Sequence, residues 1–159
     1  MKVRDVMTQN VASCGRETNL AQAVQLMWEN GCGFVPVVGE GGNVIAVITD
    51  RDIAIALGTR EQRASELFVS DVMSKPLYTC TPDDDLHTAL KTLRAEGIRR
   101  LPVIDHDGAL AGVLSIDDVV VKARAHPLKK DISYEDIEET YKGILLNSSL
   151  NTRRVRTAA

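Results

Sequence analysis

Ala46-Val47-Ile48-Thr49-Asp50-Arg51-Asp52 and Gly112-Val113-Leu114-Ser115-Ile116-Asp117-Asp118 are the two stretches that decide the fold. In each, an apolar run ends in Thr or Ser, and an Asp follows three residues later. That pattern is typical of a short strand that leads directly into a helix. Asp52 and Asp118 lie 66 positions apart. Because the same offset relates other positions of different chemical kind, the chain contains two copies of one supersecondary unit.

The repeat extends over most of the chain and needs no gap. The matched positions are Val3 and Val69, Asp5 and Asp71, Val6 and Val72, Met7 and Met73, Leu20 and Leu86, Ala23 and Ala89, Gly31 and Gly97, Pro36 and Pro102, Val37 and Val103, and Gly42 and Gly108. Two units of about 60 residues are each marginal alone, so we expect them to share a core.

Each copy reads as β-α-β-β-α. In the first copy, Leu20, Ala23, Val24 and Met27 have the spacing of one buried helix face, with Asn19 as the cap. Gly31 is placed to end this helix. Phe34 to Val38 forms a strand whose Pro36 predicts an edge position or a strand start. A glycine-rich turn then leads to a second strand, which indicates a hairpin, and the second copy follows the same order.

The predicted organisation has five parts. These are repeat 1 at 1–58, a connector at 59–67, repeat 2 at 68–125, a C-terminal helical extension at 126–146 and a flexible basic tail at 147–159. Residues 126–130 read as a break. Ser133 and Asp136 match a capping box for a helix with an apolar stripe formed by Ile137, Tyr141, Ile144 and Leu145. That stripe packs on its own domain pair, on a second subunit or on a separate partner.

Composition excludes several classes of protein. The chain has 159 residues, of which 44% are hydrophobic and 26% are charged, and its net charge is −3. These values fit a globular protein and give no general reason for binding to nucleic acid or to a membrane. Without an apolar segment that resembles a signal peptide or a membrane span, we expect a cytoplasmic location.

Metal and catalytic sites are not predicted. Cys14, Cys32 and Cys80 lack zinc-ligand spacing, and Cys14 and Cys80 are matched positions that read as small apolar residues on short strands. The run Asp83-Asp84-Asp85 precedes a helix, where acids act as caps. Since no nucleophile, base or phosphate-loop motif occurs either, we expect that the protein is not an enzyme and needs no cofactor.

The two strand-to-helix junctions are the candidate ligand sites. Thr49 and Asp52, and likewise Ser115 and Asp118, are spaced so that both side chains face the space beyond a strand end. A hydroxyl and an acceptor-only carboxylate suit the adjacent hydroxyls of a ribose, and the free N–H groups of a helix start favour phosphate. The alternative is a capping box, in which the same side chains only satisfy the backbone.

The order of elements and these motifs resemble the cystathionine-β-synthase (CBS) domain in its tandem form, the Bateman module. The marks are the openings at Asp5 to Thr8 and Asp71 to Ser74, the Pro-Val pairs and the two junctions. The resemblance covers about residues 2 to 124. It implies an α/β (α+β) fold in which two β-α-β-β-α repeats are related by a pseudo-two-fold axis, followed here by a C-terminal helix. We expect a stand-alone protein of bacterial type.

The resemblance also implies a function and a set of contacts. It implies a homodimer that binds AMP, ADP, ATP or an S-adenosylmethionine-like ligand in the cleft between repeats and passes its state to an unidentified effector protein. The implied ligand-binding residues are Thr49, Arg51, Asp52, Thr81, Ile98, Arg99, Arg100, Gly112, Ser115 and Asp118. The Arg99-Arg100 pair would clamp phosphate, because guanidinium groups bind phosphate oxygens in pairs. The competing interpretation is a structural or dimerisation module with empty clefts.

The halves differ in ways that predict unequal sites. Arg51 occurs where the second copy has Asp117, and the first copy has Gly33 and Phe34 in place of Arg99 and Arg100. In the family that the chain resembles, a glycine usually opens the junction so that ligand can approach the backbone. Gly112 fits that pattern, whereas Ala46 does not and would narrow the first site.

Overall fold

The computed structural model describes residues 1–123 and 131–156, with side chains described as far as Ser148. Residues 124–130 and 157–159, which include the predicted break at 126–130 and the end of the predicted tail, lie outside the described residues. The strands are β1 (Cys14–Gly15), β2 (Phe34–Val38), β3 (Val44–Thr49), β4 (Arg100–Ile104) and β5 (Leu110–Ser115). The helices are α1 (Leu20–Glu29), α2 (Asp50–Thr59), α3 (Leu86–Glu96), α4 (Ile116–Lys122) and α5 (Tyr134–Arg156). Short 3₁₀ helices occur at Val3–Asp5 and Val69–Asp71.

The predicted mixed α/β class and the duplicated element order are confirmed. Strands β1, β2 and β3 form one sheet in that order, and β4 pairs with β5 in another. The second copy of the first strand is reduced to a single parallel bridge between Cys80 and Val103. Asn19 caps α1 by accepting from the Gln22 N–H, and Gly31 and Gly97 both have positive φ angles just beyond α1 and α3, as predicted.

Pro36 is neither on an edge strand nor at a strand start, because it is the third residue of β2, which lies between β1 and β3. Both predicted positions are therefore wrong, but the need to avoid an unmet hydrogen bond at the proline still holds. The two residues of β1 pair only with Val37 and Val38, and at Pro36 the described partner is Val47 of β3. The missing N–H of the proline is thus tolerated because β1 is too short to reach it.

The chain forms two compact units, and each combines parts of both repeats. The first-repeat unit consists of Asn10–Leu77 and Ile104–Leu110, and the second-repeat unit of Met1–Gln9, Tyr78–Val103 and Ala111–Ala159. Each unit therefore contains the opening segment of the other repeat. Matched hydrogen bonds hold these segments: in the second-repeat unit Val3 N–H donates to the Asp84 carbonyl at 3.0 Å, and in the first-repeat unit Val69 N–H donates to the Thr18 carbonyl at 2.8 Å.

The second-repeat unit buries the predicted face of α3 together with α5. Leu86, Ala89, Leu90 and Leu93 are buried in one cluster with Ile132 and Ile144. Ser133 and Asp136 form the predicted box at the start of α5: the Ser133 N–H donates to Asp136 Oδ2 at 2.8 Å, and the Asp136 N–H donates to Ser133 Oγ at 3.1 Å. Within this unit, α5 packs on α3 and α4.

Helix α5 is longer than the sequence predicts. A flexible tail is predicted from residue 147, whereas the helix continues to Arg156. A tail is predicted there because Asn147, Ser148 and Ser149 are weaker helix formers than Ala or Leu. Contacts with α3 offset that weakness: the side-chain amide of Asn147 donates to the Arg94 carbonyl at 2.6 Å. Leu145, which was predicted to lie on the packed stripe, is exposed instead.

The first-repeat unit leaves one predicted core residue uncovered. Leu20, Ala23 and Met27 of α1 are buried as predicted, but Val24 is 44% exposed. Its matched residue in the second repeat, Leu90, is buried in the cluster that contains Ile144 of α5. Val24 is exposed because, among the described residues of its own unit, no helix covers α1 as α5 covers α3.

The two matched cysteines behave as core residues. Cys14 and Cys80 are buried free thiols, and burial raises the pKa of Cys14 to about 11 and that of Cys80 to about 12. Both thiols are therefore protonated at neutral pH. No helix in the described part of the chain is both long and apolar enough to cross a bilayer.

Candidate functional site: the strand-to-helix junctions

The first junction, between β3 and α2, is a closed network of hydrogen bonds. Oδ2 of Asp52 accepts from the Thr49 N–H at 3.0 Å, the Thr49 hydroxyl at 2.7 Å and the Ser74 hydroxyl at 2.9 Å. The Asp52 N–H donates back to Thr49 Oγ1 at 3.2 Å. The capping-box alternative thus describes the present role of Thr49 and Asp52 in the first repeat. Asp52 Oδ2 has no spare capacity for a ribose hydroxyl unless one of these donors leaves.

The second junction, between β5 and α4, uses the same residue types but is more open. The Asp118 N–H donates to Ser115 Oγ at 3.1 Å, so the serine caps α4. In the described part of the chain, the contact of the Asp118 carboxylate is one long bond of 3.5 Å from the Thr8 hydroxyl. Ser115 is buried and Asp118 is half-buried. The helix cap therefore does not depend on the Asp118 carboxylate, which is available as an acceptor.

Thr8 and Ser74 contribute side chains to the two candidate junctions, although the sequence patterns do not predict this. They are matched positions, and each hydroxyl contacts the aspartate of a junction from the other repeat. The available signal was the final residue of the two opening motifs, which is Thr in one and Ser in the other. Element order alone does not reveal that these segments are exchanged between repeats.

Gly112 makes room for the protein's own backbone. A Cβ at this position would lie 2.4 Å from the Thr8 carbonyl oxygen. Thr8 and Val113 exchange two hydrogen bonds of 2.9 Å, whereas at the matched Ala46 site the described bond is the one from Ser74 N–H to the Val47 carbonyl, at 2.8 Å. The repeat that has alanine at this position thus has one described backbone hydrogen bond where the repeat with glycine has two. A direct role of Gly112 in ligand binding stays a prediction.

Gly112→Ala should convert the two-bond pairing of Thr8 with Val113 into the one-bond form of the first repeat. We expect a loss of at least about 1 kcal/mol in unfolding free energy, the net value of one hydrogen bond, because the Thr8 backbone must also move away from the new methyl group. Hydrogen exchange of the Val113 amide, measured by NMR, should become faster. Ala46→Gly is the matched control and should leave that amide unchanged; unaltered protection of Val113 in Gly112→Ala would contradict the assignment.

The predicted phosphate-binding arginines are in the second-repeat unit beside its junction. The Ile116 N–H, at the start of α4, donates to the Arg99 carbonyl at 3.0 Å. Nη2 of Arg100 lies 3.6 Å from Oδ2 of Asp117, the residue before Asp118. Arg99 is exposed and Arg100 half-buried, so both guanidinium groups are accessible.

The first-repeat unit has an acid where the second has this cationic pair. The Asp50 N–H donates to the Gly33 carbonyl at 3.1 Å, which matches the bond between Ile116 and Arg99. A Cβ on Gly33 would lie 2.3 Å from Asp50 Oδ2, so the carboxylate covers the glycine. Since a carboxylate repels phosphate at close range, the first junction is the poorer anion site. Arg51, predicted to contact phosphate, is exposed in the first turn of α2.

The remaining predicted contacts have structural partners. The N–H of Thr81 donates to Asp84 Oδ2 at 2.8 Å, near the start of α3. Ile98 is half-buried against the core of the second-repeat unit. Asp83, Asp84 and Asp85 do not converge on one point: Asp83 pairs with Lys2 and Arg4, Asp84 accepts from Thr81, and Asp85 caps α3.

One group of described residues has its potential metal ligands close together. The ligand atoms of Asp105, His106 and Asp107 lie within 4.8 Å of one another. Asp105 Oδ1 already accepts from the Asp107 and Ala109 N–H groups, both at 2.9 Å. The grouping therefore follows from the turn between β4 and β5 and carries no metal assignment.

An apolar groove occupies the helical side of the first-repeat unit. Its volume is about 620 Å³. Its lining comes from α1, α2 and the segments next to them: Val24, Met27, Trp28, Gly31, Cys32, Gly33, Asp50, Ile53, Ala54 and Leu57. Trp28, at its rim, is 85% exposed. In the second repeat, the matched face is the one that α5 covers.

A family comparison agrees with the duplicated architecture. The model of the CBS domain matches residues 3–59 and 69–124. The chain belongs to the CBS domain family. A CBS domain-containing protein of Bacillus subtilis, YhcV, is 35% identical over 119 residues, which cover 75% of this chain and 83% of that protein.

Other relatives are longer proteins. An uncharacterised protein of Methanopyrus kandleri, MK0525, is 30% identical over 120 residues, which cover 76% of this chain but only 61% of that protein. A homoserine O-acetyltransferase of Methanococcoides burtonii is 29% identical over 74% of the chain but is matched over only 23% of its own length. CBS pairs similar to this one thus occur in polypeptides with enzyme names.

Solved structures share the CBS fold. A CBS domain protein from Thermoplasma acidophilum, TA0289, has a TM-score of 0.74 at 23% identity and covers 90% of this chain and 75% of that one. CBSX2, solved in complex with AMP, has a TM-score of 0.66 at 27% identity and covers 76% of this chain and 93% of that one. The CBS pair of MJ0100, solved with 5′-methylthioadenosine and S-adenosyl-L-methionine, has a TM-score of 0.67 at 20% identity, with coverages of 76% and 94%.

Proposed function

We propose that this CBS pair is a non-catalytic regulatory module that binds an adenine nucleotide, with the second-repeat junction as the principal site. The observation that carries the proposal is that one unit combines the available Asp118 carboxylate with Arg99, whose carbonyl accepts from the first N–H of α4, and Arg100, which lies next to Asp117. The acid would accept from ribose hydroxyls, and the arginines would bind phosphate. CBSX2, which is similar to this chain, was solved in complex with AMP, and that likeness supports an adenosine ligand.

The first junction favours the alternative function of a structural module. Three donors already occupy Asp52 Oδ2, and Asp50 covers the position that Arg99 has in the second repeat. We therefore propose unequal sites, with one phosphate-bearing ligand per chain at the second junction. Thr49, Arg51 and Asp52 would contribute to a weaker site or to stability alone.

The proposed module works as a homodimer and passes its state to an effector protein. The exposed Trp28 and the groove around it supply an apolar face for pairing. Ligand would act by its different affinity for two arrangements of the module, as any population shift requires. The effector and the cytoplasmic location stay predictions.

Isothermal titration with AMP, ADP, ATP and S-adenosylmethionine tests the ligand. Asp118→Asn should weaken binding of the best ligand about tenfold, since an uncharged amide is a poorer acceptor for the ribose. The variant should fold normally because Ser115 caps α4 through the Asp118 backbone. Arg100→Ala should weaken the binding of a phosphate-bearing ligand about tenfold and should change the binding of adenosine little.

Surface residues of the same types are the matched controls. Asp107→Asn and Arg63→Ala alter exposed residues away from both junctions and should leave affinity unchanged. If none of the four ligands binds with a dissociation constant below about 1 mM, the proposed function is refuted, because that constant corresponds to a binding free energy of only about 4 kcal/mol. Unchanged affinity in both Asp118→Asn and Arg100→Ala would refute the assigned site.

A further inference from the structure

A side chain of α5 is hydrogen-bonded to the junction of the second-repeat unit. The Tyr141 hydroxyl donates to Asp117 Oδ1 at 3.0 Å. The other oxygen of the same carboxylate, Oδ2, lies 3.6 Å from Nη2 of Arg100. Asp117 therefore connects α5 on one side with the phosphate-binding arginine on the other.

Apart from Tyr141, α5 is held mainly by α3 and less by α4. Asn147 donates to the Arg94 carbonyl at 2.6 Å, and Nη1 of Arg94 pairs with Glu139 at 2.9 Å. Thr140 and Ile144 are buried. Loss of the Tyr141 hydroxyl thus leaves the main attachment of α5 intact, so its effect on the junction can be measured separately.

Tyr141 also lies within electrostatic reach of the arginine pair. Partial burial and the bond to Asp117 raise the pKa of Tyr141, whereas the charges of Arg99 and Arg100 oppose that rise. The phenol is a neutral donor at physiological pH. Its hydrogen bond stabilises the Asp117 carboxylate without adding charge to the site.

We propose that Tyr141 and Asp117 are positioning residues through which α5 sets the affinity of Arg100 for anionic groups. The inference deepens the proposed function and rests on it. An incoming phosphate must compete with Asp117 for Arg100, and the Asp117 charge also repels the phosphate. By donating to Asp117, Tyr141 satisfies part of that carboxylate and weakens its hold on the arginine.

The same contact makes α5 responsive to ligand. Coupling between two binding events is reciprocal, so if the Tyr141 bond favours phosphate binding, phosphate binding must favour the Tyr141 bond. When Arg100 turns to the ligand, Asp117 loses its cation and depends more on the phenol. Ligand therefore tightens the contact between α5 and α4, and α5 carries the state of the site.

Comparison of AMP with adenosine tests this coupling. Tyr141→Phe should weaken AMP binding about two- to tenfold, the range of a single net hydrogen bond, and should leave adenosine binding unchanged. Asp117→Asn should strengthen AMP binding by a similar factor because it frees Arg100. Both effects should decrease at high salt, since the Asp117 side chain is 62% exposed and its charge is screened.

A double-mutant cycle isolates the pathway. In the Asp117→Asn background, Tyr141→Phe should no longer change AMP affinity. Tyr134→Phe is the matched control, because Tyr134 is an exposed tyrosine at the first position of the same helix. Hydrogen exchange of residues 137–148 should slow when AMP saturates the wild-type chain and should slow less in Tyr141→Phe.

The outcomes separate this inference from the proposed function. If wild-type protein binds neither AMP nor adenosine, both fail. If AMP binds but Tyr141→Phe leaves its affinity unchanged, weakens adenosine equally, or acts undiminished without Asp117, the coupling is refuted while the nucleotide site stands. If AMP binds but hydrogen exchange in α5 does not change, the proposed response of the helix to ligand is refuted.

Discussion

Gly97→Ala should lower the free energy of unfolding by about 3 kcal/mol or more, because two separate costs meet at this position. Gly97 follows α3 with a φ of +66°, a conformation that costs a side-chain-bearing residue about 1 kcal/mol. An added Cβ would also lie 2.6 Å from the Ser148 nitrogen and 2.8 Å from the Asn147 carbonyl carbon. Both atoms belong to the backbone of α5, which must move away as a unit.

Gly31→Ala is the internal control for this experiment. Gly31 follows α1 at the matched position with a φ of +59°, and nothing lies within 4 Å of its added Cβ. Gly31→Ala should therefore lower the free energy of unfolding only by the cost of the positive φ angle, about 1 kcal/mol. Chemical denaturation of both variants compares their unfolding free energies. In thermal denaturation, the melting temperatures of the two variants should differ by about 4–8 °C for a chain of this size. Equal losses in the two variants would contradict the packing of α5 over Gly97.

The elements of the fold were predictable because their signals are local. Asn19, Gly31 and the spacing of Leu20, Ala23 and Met27 predict α1 nearly to its ends, and Ser133 with Asp136 predicts the start of α5. Caps and buried faces act within a few residues, so one copy of the pattern is informative and a second copy reinforces it. The continuation of α5 past residue 146 was missed because the Asn147 side chain bonds to the Arg94 carbonyl of α3, which is remote in sequence.

The site was less predictable, since its geometry depends on long-range pairing. The repeat pattern identifies Asp52 and Asp118 as equivalents, and the surrounding charges predict unequal sites. Neither pattern predicts that Thr8 and Ser74 reach the junction of the opposite repeat, where Ser74 adds a third donor to Asp52 Oδ2 and Thr8 makes one long bond to Asp118. The family resemblance assigns Gly112 to ligand access, whereas the neighbour that needs the space is Thr8.

Trp28→Glu should weaken the proposed homodimer at least about 100-fold, which is typical of an aromatic residue at the centre of an interface. Trp28 projects from α1 at the rim of the apolar groove and is 85% exposed. Its matched residue, Arg94, pairs with Glu139 of α5, and the Arg94 side chain fills the space over Gly143. The second repeat thus covers this face from within the chain, and the first repeat presents an aromatic side chain that a second copy would cover.

Sedimentation velocity over a concentration series measures the effect, and Trp28 itself provides a second signal. It is the single tryptophan of the chain, so its fluorescence emission should shift to shorter wavelength as wild-type protein dimerises. Trp28→Phe should retain most of the affinity because it keeps an aromatic anchor, and Tyr134→Glu, which places a charge on an exposed residue of α5, should retain all of it. A wild-type chain that stays monomeric, or a Trp28→Glu variant that dimerises as tightly as wild type, would rule out pairing through α1. Monomeric Trp28→Glu that still binds nucleotide would show that each chain carries its own complete site, as the position of Asp118, Arg99 and Arg100 within one unit predicts.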